Sequence, residues 1–62
     1  MKGINWAAIG NQAFNVFDPH YGFWCEGGFT RNQHKATNYT QANLTDEERL
    51  SIENDGCTLM SA

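Results

Sequence analysis

The chain has 62 residues, a net charge of −3 at neutral pH, 40% hydrophobic residues and two cysteines. That length allows one domain over residues 1–62, close to the lower limit for independent folding, where only about 60% of the unfolded surface becomes hidden. The acidic balance argues against nucleic acid, whose binders gain affinity from Lys and Arg on phosphates, and no stretch approaches the ~20 apolar residues of a membrane span.

The aromatic content partly offsets the small size. Eight residues are Phe, Tyr or Trp, and each such side chain buries roughly 150–250 Å². Six of them (Phe14, Phe17, Tyr21, Phe23, Trp24 and Phe29) fall within residues 14–29, so that window must supply most of the core. Charge is uneven: residues 1–35 sum to +1 and residues 36–62 to −4. No basic segment leads into an apolar run as in a secretory signal, so a cytoplasmic location, or a place within a virion assembly, is expected. Asn38-Tyr39-Thr40 and Asn43-Leu44-Thr45 match the glycosylation sequon, which has meaning only in a secreted eukaryotic chain. With seven asparagines and five threonines present, they read as coincidence.

Residues 4–17 predict an amphipathic helix. Trp6, Ile9, Ala13, Val16 and Phe17 form one stripe at helical period, while Asn5, Asn11, Gln12 and Asn15 lie largely off it. Gly10 inside this segment costs about 1 kcal/mol relative to Ala. Asp18-Pro19 ends it, because a residue before proline is pushed out of the α region.

Residues 20–34 predict an aromatic β-hairpin around a primed turn at Gly27-Gly28, where φ must be positive. In that register Glu26 faces Phe29, Trp24 faces Arg31 and Tyr21 faces His34. Alternation then places Tyr21, Phe23 and Cys25 on one face, toward helix 4–17, and Trp24, Glu26, Phe29 and Arg31 on the other. Aromatics on both faces leave the register weakly specified.

Residues 35–43 are polar and predict a loop. Thr45 and Glu48 then form a capping-box pattern, and Asp46 and Glu47 add negative charge at the positive end of the helix dipole. The helix runs to about Asn54, with Gly56 as the residue that closes it. Leu50-Ser51-Ile52-Glu53 also alternates at period two, so a second hairpin through Asn54-Asp55-Gly56 into Cys57-Thr58-Leu59 competes. The helix is preferred because its start signal is specific. No internal repeat is visible. The whole reads as a small α+β domain: N-terminal helix, central hairpin, C-terminal capped helix.

Chemistry-bearing residues are few. His20, Cys25, His34 and Cys57 are the only soft ligands, and their spacing matches no paired zinc knuckle. A Cys25–Cys57 disulfide would close a long loop, but a cytosolic chain keeps its thiols reduced. Cys25 beside His20 or His34 would need a cationic neighbour to become a nucleophile, and so short a chain has little room for a walled pocket. The acidic residues 46–55 lack the order of a calcium loop and read as a capped, solvated helix. No cofactor is expected, and no enzymatic activity.

Trp24, Phe29 and Arg31 are the candidate partner-binding residues. An outward Trp-Phe-Arg patch has the composition of interface hot spots, and Arg31 opposite Trp24 permits a cation–π contact. The competing reading covers this face with helix 46–54 through Leu50 or Ile52, which makes Trp24 core. The function expected is non-catalytic protein–protein interaction: a small adaptor, inhibitor or accessory protein, of phage type by its compact Asn-rich composition. The alternatives are a minor structural or decoration subunit of a larger assembly such as a virion, and a small zinc or redox protein. The partner is another protein, and an oligomer is compatible with the same residues.

Overall fold

The computed structural model describes residues 3–62; residues 1 and 2 of the expected domain lie outside the described residues. The chain is a small α+β domain built on a four-stranded antiparallel sheet. Its elements are α1 (Trp6–Ile9), β1 (Phe14–Asp18), β2 (Gly22–Cys25), β3 (Gly28–Thr30), α2 (Asp46–Asn54) and β4 (Thr58–Ser61), with single 3₁₀ turns at Gln33–Lys35 and Gln41–Asn43. The strand order is β3-β2-β1-β4.

The N-terminal helix is far shorter than its periodicity predicts, and its second half is a strand. Asn5 caps α1 by accepting from the Ala8 N–H, and Gly10 at φ 61° ends it. The Gln41 side chain then donates to the carbonyls of Trp6 (2.8 Å) and Gly10 (2.6 Å). Beyond Gly10, Phe14-Asn15-Val16 alternates at period two, and Phe17 supplies an apolar group to the second face of the strand. Phe and Val favour a pleated surface, whereas Asn and Gly are weak helix formers. β1 becomes one of the two central strands, pairing with β2 through Phe17↔Phe23 and with β4 through Phe14↔Ser61 to Phe17↔Thr58. Asn15, expected on a polar helix face, is only 2% exposed. Its Nδ2 donates to the Thr37 carbonyl and Asn38 Oδ1, and its Oδ1 accepts from Gln33 Nε2.

Asp18-Pro19 does break the chain, as a turn out of a strand rather than a helix end. Asp18 Oδ1 accepts from the N–H groups of His20 (2.7 Å) and Tyr21 (3.1 Å). The hairpin forms one residue out of the expected position: Cys25 faces Gly28, Trp24 faces Phe29 and Phe23 faces Thr30. Its central residues are therefore Glu26 and Gly27. No residue other than glycine has a positive φ among those described, and Gly27 sits at 83°. That sign pattern belongs to a type II turn, not the primed turn expected.

α2 matches the sequence reading. Thr45 Oγ1 accepts from the Glu48 N–H at 3.1 Å and Glu48 Oε1 accepts from the Thr45 N–H at 2.8 Å, a complete capping box. Gly56 at φ 70° closes the helix, and the chain continues into β4, which pairs with β1 rather than with residues 50–53. The core lies between α2 and one sheet face: Phe14, Val16, Leu44, Ile52 and Cys57 are buried, with Trp6, Trp24, Tyr39 and Leu59 packed against them. The opposite face holds the Phe17–Phe23 ring pair, 4.9 Å between centroids. Phe23 is thus buried, but on the face away from α2, and Tyr21 is not buried with it.

Candidate functional site

The hairpin tip brings the three candidate residues near one another in unequal settings. Trp24 is half-buried, and its back lies on the core cluster. Its ring meets Tyr39 edge-on, with centroids 6.0 Å apart at 85°, and its carbonyl accepts from the Thr37 N–H at 3.0 Å. The cover on this face comes from Ile52, fully buried, while Leu50 stays exposed. Phe29 stands directly across from Trp24 in the position expected of Arg31, so the Trp24–Arg31 opposition does not form. Phe29 keeps 49% of its surface exposed.

Arg31 is exposed and donates from Nη2 to the His20 carbonyl at 3.5 Å. Among the described residues the one ion pair is Arg49 with Asp46, so Arg31 presents its charge without a carboxylate beside it. The acidic residues of α2 have their own tasks. Asp46 holds Arg49, Glu48 closes the capping box, and Glu53 Oε2 accepts from Trp6 Nε1 (3.0 Å) and the Ile4 N–H (3.3 Å).

Tyr21 is the member of this surface that sequence reasoning sent inward. It is 63% exposed, and its ring lies against Phe29 with centroids 5.1 Å apart and planes inclined by 31°. His20 meets the other edge of Tyr21. The cause is Gly22. Its φ of 110° is closed to other residues, and a Cβ there would come within 2.6 Å of the Thr30 carbonyl oxygen. β2 and β3 therefore approach closely at Gly22, and the backbone re-aims Tyr21 across the strand. A glycine inside an aromatic strand is the signal for such a bend, and it was present in Tyr21-Gly22-Phe23.

The soft ligands are not gathered: among the described residues no three His, Cys, Asp or Glu side chains converge as a metal-binding group. Cys25 and Cys57 are both free thiols. Burial, reinforced by the neighbouring Asp18 and Asp55 carboxylates and the Cys57 Sγ–Asp18 Oδ2 hydrogen bond, pushes the Cys57 thiol up to about 11. That direction opposes the thiolate a nucleophile requires. No described helix is long and apolar enough to cross a membrane. Compared with protein-family models, curated proteins and solved structures, the chain matches none of them.

Proposed function

We propose that this chain is a small non-catalytic protein–protein interaction protein, an adaptor, inhibitor or accessory factor, that docks on another protein through its hairpin tip. One observation carries the reading: Tyr21 and Phe29 stack on each other at the surface beside Arg31. Tyr, Trp and Arg dominate interface hot spots, because they combine large rigid contact area with a polar or charged handle. Phe29 sits in β3, paired in register with Trp24 of β2, so it is presented on a strand rather than on a free loop. A cytoplasmic setting belongs to the same proposal.

The test is affinity capture from the native cell with the intact protein, run beside the Phe29→Ser and Arg31→Ala variants and with thermal melts of all three. The expected result is a partner retained by the parent chain and lost from both variants at unchanged melting temperature. A partner held equally by all three would remove the hairpin tip from the reading. Trp24→Ala is expected to lower the melt, because its ring also packs on the core.

A further inference from the structure

The sheet has two open edges, and they are unlike. β3 is three residues long, follows Gly27 at φ 83°, begins with Gly28 at φ 143°, and lies between Glu26 and Arg31. Shortness, a kink and flanking charge are the devices that blunt an edge strand against further pairing. β4, at four residues, is little longer, but it carries neither the kink nor the charge. Thr58-Leu59-Met60-Ser61 contains no charge, no proline and no glycine.

The direction of the β4 backbone groups follows from the ladder. Ala62 N–H donates to the Ala13 carbonyl, while Phe14 exchanges both of its bonds with Tyr39, away from β4. Hydrogen-bonded and non-bonded pairs alternate along an antiparallel ladder. With Asn15↔Met60 and Val16↔Leu59 opposed, Thr58 and Met60 bond to β1, and Leu59 and Ser61 aim their N–H and C=O groups outward. The Ser61 carbonyl accepts from Gln33 Nε2 at 3.0 Å. Among the described residues, nothing bonds to Leu59 N–H and C=O or to Ser61 N–H.

We propose that β4 pairs with β4 of a second copy of this chain, antiparallel about a two-fold axis at Leu59, joining the two sheets into one. A two-fold axis perpendicular to the sheet sets each Leu59 opposite its counterpart, so each donates its N–H to the other's carbonyl. Ser61 N–H then meets the Cys57 carbonyl of the second copy. Thr58 lies opposite Met60, two exposed uncharged side chains, and no like charges meet along the strand. On the core face the two Leu59 side chains extend the apolar cluster and cover a groove of about 100 Å³ whose lining includes Ile9, Phe14 and Leu59. Backbone bonding and side-chain character are thus both self-complementary, which favours a second copy over an unrelated strand. One short strand pair buries less than the roughly 1,200–2,000 Å² of a stable interface, so the dimer forms reversibly, at a Kd on the order of 100 μM. Each copy carries −3, and added salt strengthens the pairing by screening that repulsion.

Sedimentation equilibrium of the full chain from about 10 μM to about 1 mM, with amide hydrogen exchange at both ends of the range, tests this. The expected result is a mass rising toward the dimer. The Leu59 amide gains protection with concentration, whereas the Met60 amide, bonded to β1, is protected throughout. Ser61→Pro removes an N–H that the monomer does not use, and Met60→Lys adds an edge charge; each raises the dimer Kd by about tenfold and leaves the melt of a dilute sample unchanged. A monomer mass at every concentration overturns the proposal. So does a dimer that both variants leave intact and Phe29→Ser dissociates, which would move self-association to the hairpin tip.

Discussion

β1 and β3 lie in the same sheet, separated only by β2, and live under opposite constraints. β1 has a strand on each side and cover on both faces: Val16 is fully buried on one, and Asn15 is 2% exposed on the other. β3 has one neighbour, an open edge, and Phe29 half in solvent. Both carry aromatic side chains, yet the core holds Phe14 of β1 while Phe29 of β3 and the neighbouring Tyr21 stand in solvent. In so small a domain the two settings are separated by two strand spacings, roughly 10 Å. The contrast makes a definite claim: damage at β1 and its cover should cost folding, and damage at the tip should cost binding.

The largest effect is expected from Ile52→Ala, which removes the buried α2 side chain that covers β1. Such truncations cost about 2–5 kcal/mol, a large share of the stability of a domain this size. A urea titration should show a strongly lowered midpoint or no cooperative transition; an unchanged midpoint would refute the core placement. Gly22→Ala should come next, at about 2–3 kcal/mol, from positive-φ strain and the clash with Thr30. It also couples the two regions. Loss of the Tyr21–Phe29 ring contacts in NMR spectra should accompany the drop, and preserved contacts would show that Gly22 does not set the tip.

Cys57 donates to Asp18 at the end of β1, and its titration reports on that junction. Its folded value, about 11, lies above the ordinary value of 9.0. The folded chain therefore holds the proton more tightly, and the stabilisation is complete below pH 9 and lost as pH rises through about 11. After allowance for solvent screening the loss is on the order of 1–2 kcal/mol. Chemical melts across this window should show the parent falling relative to Cys57→Ala, and parallel curves would disprove the burial argument.

Thr45→Ala should cost about 1 kcal/mol by opening the capping box over the core, read as a modest shift in thermal midpoint. Phe29→Ser should cost the least, within about 0.5 kcal/mol as at other exposed sites. A drop comparable to that of Ile52→Ala would collapse the distinction between the two strands.

The elements differ in how far the sequence disclosed them. The capped helix was fully legible, because Thr45, Glu48 and Gly56 act on backbone groups within a turn of themselves. The hairpin was legible as a unit, yet its register slipped by one residue at the turn, since Gly27 and Gly28 are equally able to take positive φ. Residues 14–18 read as helix because Val16 and Phe17 continue the helical stripe of Trp6, Ile9 and Ala13, whereas in the strand Phe14 and Val16 share one face and Phe17 takes the other. What selects the strand is pairing with β4, from more than forty residues further along. At the site, Phe29 and Arg31 are exposed although the register expected for them does not form, Trp24 is tied to the core, and Tyr21, expected inward, lies in solvent. The Gly22 bend was the available clue.

By itself the sequence determined the α+β class, the bounds of the C-terminal helix, the chain break at Asp18-Pro19 and the concentration of aromatic residues near the hairpin. Each of these rests on interactions between near neighbours or on composition. Only the tertiary structure decided that β1 is a central strand, that β4 completes the sheet, and which aromatic rings reach solvent. Those outcomes depend on long-range pairing and on which of two similar faces α2 covers, and local preferences in this chain are too evenly balanced to settle either.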